Sequence, residues 1–369
     1  MIQLNTLLAE AKLKLNIPSD IKKIYKLFKK NRKQLFVVGG AVRDAVLGKT
    51  PKDFDLATDA KPDEVLQIAK QGGFKTVEVG KSFGVVIVNG HEIATFRKDI
   101  GKGRRPDAVD FTDIKGDVKR RDLTINALFY DMGRKEIVDL VGGIKDLQKK
   151  QVRTVGNAQQ RFAEDPLRKL RAVRFTASVG GKMHADTFNA LKHDSNLGGI
   201  SRERVRDEFI KGIKKAKLPS KYLKLTDKLG MLQQILPNMK LNKKFINSND
   251  YIIQLSNLLI NNKPSKVLPY LNTHKYTNNE AKDVTFLISL LSFNPKNIFI
   301  VKKNQSLTSL DKSQLINWGK LIGKSKLISK IISFNLSVKG GDISKQGFKG
   351  SEIQDKIKDM EYKKFIGKE

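Results

Sequence analysis

Two short runs constrain this chain more than anything else in it. Residues 36–44 read Phe-Val-Val-Gly-Gly-Ala-Val-Arg-Asp, and residues 53–58 read Asp-Phe-Asp-Leu-Ala-Thr. An apolar segment enters a Gly-Gly turn, a short helical pattern follows, and an acidic strand comes next. Asp53 and Asp55 are two apart, so on a strand both side chains share one face. Gly39 and Gly40 leave backbone N–H groups free at a helix start, and with Arg43 these suit phosphate oxygens. Alone, a Gly-Gly pair is an ordinary tight turn and Asp-x-Asp an ordinary solvated one. In this order they make a place for divalent metals and a triphosphate, which predicts nucleotidyl transfer.

Phosphoryl transfer to a hydroxyl needs one metal at the nucleophile and a second on the triphosphate, and Asp53 and Asp55 can share both. A third carboxylate should come from a neighbouring strand, where Glu92, in His91-Glu92-Ile-Ala-Thr-Phe-Arg97, is the best candidate. His91 then faces the other side and reads as structural, and Lys52 reads as a surface lysine.

Strand and helix signals alternate over residues 35–140, with strands expected at 35–38, 53–57, 76–79, 84–88, 92–96 and 127–130. Helices are expected at 41–46, 62–70 and 117–125, giving an α/β domain with a mixed sheet. Before it, residues 1–34 carry helical periodicity that Ser19 or Asp20 could cap. From about Gly142 the period is helical, with helices expected at 161–177 and 202–213, the latter capped by Ser201. The whole therefore reads as α+β, a small mixed sheet followed by helices.

With 71 lysines and arginines against 38 acids, the net charge of +33 argues for a polyanionic partner, most plausibly nucleic acid. The absence of cysteine excludes disulfides and zinc–thiolate sites, and four scattered histidines exclude a histidine-based metal cluster. The N-terminal residues lack a basic region followed by an apolar core, so no signal peptide is expected. The longest apolar stretch, near residues 285–293, is too short for a bilayer. The chain reads as intracellular, with a cytoplasmic location and no membrane association expected.

Two further motifs bear on nucleotide recognition. In Arg120-Arg121-Asp122-Leu-Thr124-Ile-Asn126, a helix would bring Arg121, Thr124 and Asn126 together to grip a ribose hydroxyl and a phosphate. In Glu164-Asp165-Pro-Leu-Arg168-Lys-Leu-Arg171-Ala-Val-Arg174-Phe175, Asp165 and Arg168 are three apart and would share a helix face. An acceptor beside a donor fork matches the exocyclic amine and unprotonated ring nitrogen of cytosine and adenine. It rejects guanine and uracil, which present a carbonyl beside a ring N–H.

On these residues the chain resembles the class II tRNA nucleotidyltransferase and bacterial poly(A) polymerase family. The resemblance runs in order through residues 35–215 and includes Val138-Asp139-Leu-Val-Gly142-Gly143 and Ser201-Arg-Glu203-Arg204. It implies a catalytic head at 35–140 and a helical neck at 141–215 that chooses the base. It also implies a tRNA-binding body and tail at 216–369, after an N-terminal extension at 1–34. It implies Mg²⁺ on Asp53 and Asp55, and ribose checking by the helix at 120–126, with Arg121, Asp122 and Asn126 as its nucleotide-binding residues. Base reading falls to Asp165 and Arg168, with Arg171 orienting that pair or binding triphosphate, and Arg174 beside it. The implied activity is template-independent addition of CCA to tRNA 3′ ends from CTP and ATP, with no obligate protein partner. A CC-adding or A-adding specialist, a poly(A) polymerase, and a non-catalytic RNA-binding protein are the alternatives. Gly84, where poly(A) polymerases carry a basic run, leans towards CCA addition. The loop at 98–107 is expected to help the switch from C to A, with Arg104 and Arg105 reaching the base-reading helix.

If the basic charge serves phosphate contacts, affinity for tRNA should fall about a thousandfold between roughly 50 and 200 mM salt. A log–log salt slope near zero, measured by filter binding, would make the charge merely compositional.

Overall fold

Four successive apolar residues, Leu35–Val38, are all buried, as a strand covered on both faces requires. In the computed structural model, which describes residues 15–100 and 108–367, this strand, β1, lies inside a seven-stranded sheet. The other members are β2 (Asp55–Thr58), β3 (Thr76–Gly80), β4 (Val85–Val88), β5 (His91–Thr95), β8 (Leu128–Asp131) and β9 (Glu136–Asp139). Their order is β3-β4-β5-β2-β1-β8-β9. β2 and β5 run parallel and the other neighbours antiparallel, so the sheet is mixed. A separate hairpin joins β6 (Arg97–Ile100) to β7 (Ala108–Phe111). The hairpin and β9 were not among the expected strands. The expected strand at 53–57 begins instead at Asp55, so Asp53 stands just ahead of it.

The chain divides into two units. The first runs to Ile200 and takes in Lys215–Leu218 and Leu225–Met231; the second holds Ser201–Lys214, Pro219–Lys224 and Leu232 onward. In the first, Phe36 and Val38 point from β1 to the same face as Phe129 of β8, and the rings of Phe36, Phe96 and Phe129 lie 6.1 Å apart. Helices α1 (Ser19–Lys30), α2 (Gly40–Val46), α3 (Pro62–Gln71) and α4 (Ile114–Arg120) accompany the sheet. Helix α1 buries Ile21, Ile24 and Phe28, one stripe at helical spacing. Neither Ser19 nor Asp20 caps it, since Pro18 holds that position. Asp20 instead accepts a hydrogen bond at 2.7 Å from Nε2 of His91, the structural tie expected for that histidine.

Two expected helices are broken, and both breaks shape the site. The one at 117–125 ends at Arg120; Arg121 and Leu123 are extended and Thr124–Asn126 forms a 3-10 turn. Leu123 bridges to Thr154, a tertiary pairing that local periodicity does not show. The one at 161–177 is two helices, α6 (Ala158–Glu164) and α7 (Leu167–Val179), after α5 (Gly143–Gln148). Pro166 has no N–H to continue α6 and forces Asp165 to φ −144°, ψ 103°.

The second unit is helical. Ser201 receives the N–H of Arg204 at the start of Arg202–Lys215, as a cap should. Trp318, fully buried, donates to the Leu287 carbonyl at 2.7 Å. No helix among the described residues is long and apolar enough to cross a membrane.

In the first unit, the backbone at Gly181 crosses close to that of Lys150, where the short strands β10 (Gln151–Val152) and β11 (Lys182–Met183) pair. A Cβ on Gly181 would stand 1.6 Å from the Lys150 carbonyl oxygen. Gly181→Ala should therefore cost at least about 2 kcal/mol in chemical denaturation. Gly341→Ala, where a Cβ meets nothing within 4 Å, should be near neutral.

Candidate active site

The Gly39–Gly40 turn does what only glycine does easily. Gly39 takes φ +67° between β1 and α2. Its N–H is not free, however, because it donates to the Leu128 carbonyl at 3.0 Å. Arg43, one turn into α2, points its Nη1 at Oδ1 of Asn126 (2.6 Å) and its Nε and Nη2 at Oδ1 of Asp44 (3.0 and 2.9 Å).

The broken helix after α4 supplies the opposite wall. Asp117, almost fully buried, accepts from Arg120 at 2.7 Å and from Arg121 at 3.0 Å. Burial pushes its carboxyl up, but the two guanidiniums outweigh this and hold it below the usual value. Asp122 is fixed in the same way. Burial raises it, Arg171 at 2.6 Å lowers it further, and Asn126 donates to its other oxygen at 3.2 Å. Arg121 also donates to the Asn126 carbonyl at 3.2 Å. Arg121, Asp122 and Asn126 thus converge as expected, though on an extended segment and a 3-10 turn. Thr124 does not join them, because its hydroxyl turns inward to Asp146 at 2.6 Å.

The α6–α7 break places the expected base-reading pair. Asp165 ends α6, with Oδ1 accepting the Leu167 N–H at 3.1 Å, and Arg168 lies in the first turn of α7. They do not share a helix face; Pro166 stands between. Arg168 is held by Glu164 at 2.6 Å and by the Arg120 carbonyl at 3.0 Å. Phe175 lies beneath three guanidiniums, Arg174 at 4.0 Å, Arg43 at 4.9 Å and Arg171 at 5.4 Å from its centroid.

These groups line one cleft of about 410 Å³, in which seven arginines face three aspartates, Asp55, Asp122 and Asp165. A second cleft of about 430 Å³ shares Gly40, Arg43, Asp55, Arg174 and Phe175 with it. It adds Asp53 and the lysines Lys49, Lys52 and Lys215. Lys52, expected as a surface lysine, is exposed yet borders this cleft. Asp55 joins the two clefts. Asp55 stands exposed at the strand end, but desolvation by the protein packed around its carboxyl, then the Glu92 and Asp53 carboxylates, push it above the usual range, against the pull of Arg121. Glu92 stands exposed on β5, parallel to β2. No group of three His, Cys, Asp or Glu side chains among the described residues converges closely enough to hold a metal. Arg104 and Arg105 lie outside the described residues.

Three lining residues were not expected as site residues: Arg97, Arg120 and Phe175. Each was within reach of sequence reasoning, since Arg97 opens β6 two residues past the strand that carries Glu92, and the other two belong to the motifs at 120–126 and 164–175. Arg97 is anchored through the carbonyl of Phe83, a contact no local pattern shows.

Residues 35–153 match the poly A polymerase head domain, and residues 182–242 match a domain described as the probable RNA and SrmB-binding site of polymerase A. The CCA-adding enzyme of Pediococcus pentosaceus is 36% identical over 278 residues, 70% of this chain and 68% of that enzyme. The CCA-adding enzyme of Ligilactobacillus salivarius is 44% identical over 207 residues, 53% of this chain and 50% of that enzyme. The chain thus spans about half the length of several curated relatives it matches. Among solved structures, the Bacillus stearothermophilus CCA-adding enzyme in complex with CTP superposes with a TM-score of 0.70 at 25% identity, over 95% of this chain and 94% of that one. The Thermotoga maritima CCA-adding enzyme complexed with tRNA shares the fold at a TM-score of 0.70 and 20% identity, over 98% of this chain and 94% of that one. A likeness of 36% maintained over two thirds of a relative, on the same head domain and the same fold, means that the chain belongs to the CCA-adding enzyme family.

Proposed function

We propose that this protein adds C, C and A to the 3′ ends of tRNA, taking CTP and ATP without a nucleic-acid template and releasing pyrophosphate. The observation that carries the reading is the pair of clefts meeting at Asp55. The arginine-rich cleft suits a nucleoside triphosphate, and the cleft bordered by Asp53 and lysines suits an incoming RNA 3′ end. We assign transfer to residues 35–140, base choice to 141–215 and tRNA binding to 216–369, with the N-terminal extension at 1–34, and we place the protein in the cytoplasm.

Divalent metal is general in this family, and we assign Mg²⁺ here to Asp53 and Asp55. Their hard oxygen donors fit it, and the Glu92 and Asp53 carboxylates, which add to desolvation in raising Asp55, are negative charge that a cation would offset. Two protein ligands suffice for Mg²⁺, which keeps waters and substrate phosphates as its other ligands. When bound, the metal lowers the pKa of the attacking hydroxyl and neutralises phosphate charge. We assign Glu92, on the adjacent strand, as the third carboxylate of the centre. Gly39 shapes the turn and Gly40 brings the start of α2 close to the phosphates, while Arg43 and Arg121 hold them. Asn126 and Asp122 meet the ribose. Asp165 accepts from the exocyclic amine of cytosine or adenine, and Arg168 donates to the ring nitrogen beside it. Arg171 fixes Asp122, and Arg174 covers Phe175 at the junction of the clefts.

Incubation with tRNA ending before CCA, with C or with CC, each with CTP, ATP or both, tests the activity at one-nucleotide resolution. The expected product is a single A after two C residues, followed by arrest. Products that stop at CC with ATP present, or adenosine ladders on generic RNA, would replace this reading.

Asp55→Asn should lower incorporation of both nucleotides at least about a hundredfold, several kcal/mol of lost metal stabilisation, and leave tRNA affinity intact. The same variant should melt higher than wild type without metal at neutral pH. A carboxyl raised on folding is a burden above its folded pKa, relieved as pH falls to the ordinary aspartate range, so the gain should fade below about pH 4. Calorimetry across pH measures this, and an unchanged or lower melting temperature at pH 7 counts against the carboxylate cluster.

A further inference from the structure

Thr124 and Asp146 lie behind the arginine-rich cleft and border neither cleft. Both are almost fully buried, at 1% and 5% exposure. The Thr124 hydroxyl donates to Oδ2 of Asp146 at 2.6 Å, and Arg153 Nε donates to the same oxygen at 2.9 Å. Arg153 returns two further bonds, its carbonyl accepting the Thr124 N–H at 2.9 Å and its Nη2 donating to the Val141 carbonyl at 3.0 Å. Gly143 presses close from below; a Cβ there would stand 2.3 Å from the Thr124 carbonyl oxygen. A buried threonine is thus pinned from its hydroxyl, its N–H and its carbonyl side.

What this pinning controls lies two residues on. The Thr124 carbonyl accepts the Ala127 N–H at 3.1 Å and closes the 3-10 turn that projects Asn126. Asn126 is the junction of the cleft wall, accepting from Arg43 at 2.6 Å and donating to Asp122 at 3.2 Å. A turn of three residues has no helical ladder to set its depth, so the buried anchor sets it. Small displacements of a positioning group are expensive in affinity and rate.

We propose that Asp146, acting through the Thr124 hydroxyl, is a positioning residue that sets how far Asn126, Asp122 and Arg43 reach into the cleft. It thereby governs affinity for the nucleotide sugar and preference for a 2′-hydroxyl. This rests on the nucleotide-transfer reading above. Neither residue touches substrate.

The test compares Thr124→Val, which keeps the shape and loses the hydroxyl, with Thr124→Ser, which restores it. Equilibrium binding of CTP and dCTP with Mg²⁺, KM and kcat for C addition to tRNA lacking CCA, and melting temperature are measured together. Thr124→Val should weaken CTP binding and raise its KM about tenfold, the loss of one buried hydrogen bond. Its kcat should stay within about twofold, and the preference for CTP over dCTP should shrink about fivefold. Thr124→Ser should stay within about twofold of wild type throughout. Asp146→Asn, which removes the charge that Arg153 pairs with and weakens the acceptor of the Thr124 hydroxyl, should move the same parameters in the same direction by less, and it carries the test if Thr124→Val does not fold. Active wild type beside a Thr124→Val protein with unchanged affinity and sugar preference, whatever its melting temperature, overturns this inference alone. Wild type that neither binds CTP nor adds C overturns the nucleotide-transfer reading and this inference with it.

Discussion

Everything around the candidate site depends on how guanidiniums are kept beside one another without driving the wall apart. Seven arginines border one cleft, and bare proximity of so many like charges would be destabilising. The chain answers with carboxylates placed behind the arginines. Asp117 takes Arg120 and Arg121, Asp122 takes Arg171, Glu164 takes Arg168, and Asp44 takes Arg43. Each bond also fixes a guanidinium plane, so the cationic heads that border the cleft are held in orientation by the protein's own carboxylates. Partly buried pairs of this kind contribute little net stability against an apolar core, but removing one partner leaves a charge stranded. Their role is therefore better read as preorganisation than as a source of stability.

Asp55 is the exception to that compensation. It is pushed up by desolvation and by two neighbouring carboxylates, with Arg121 acting alone against them. A fold selected only for stability would not place three acids around one strand end. The proposed metal assignment would relieve this arrangement, which makes the acidic centre and the arginine wall complementary in charge.

The second unit solves a different problem with the same chemistry. It carries buried polar groups within helical packing, and several are matched to backbone. Glu361, fully buried, accepts the N–H groups of Ser337 and Val338 at 2.7 Å each. Asp283 accepts the N–H and the hydroxyl of Ser309 at 2.8 and 2.5 Å. Such bonds stitch non-helical segments to helices.

Much of the fold was legible from residue order, because alternation and burial on β1 and the stripe on α1 are local properties of the chain. The candidate site residues Arg43, Asp55, Arg121, Asp122, Asn126, Asp165, Arg168 and Arg171 were also singled out from residue order, because the chemistry proposed for them needs particular side chains at fixed spacing. They meet in one cleft. What periodicity could not reveal is where helices stop. Pro166 announces one break, but Leu123 leaves its helix for a partner at Thr154, thirty-one residues away. The sequence by itself determined the alphabet of the site: two acids after a glycine turn, an Arg-Arg-Asp segment, and an Asp–Arg pair across a proline. Only the tertiary structure decided that Thr124 faces Asp146 while Asn126 faces the cleft, and that the N–H of Gly39 is already occupied. The physical reason is that a side chain's type is a local property, whereas its direction is settled by distant partners competing for the same hydrogen bonds.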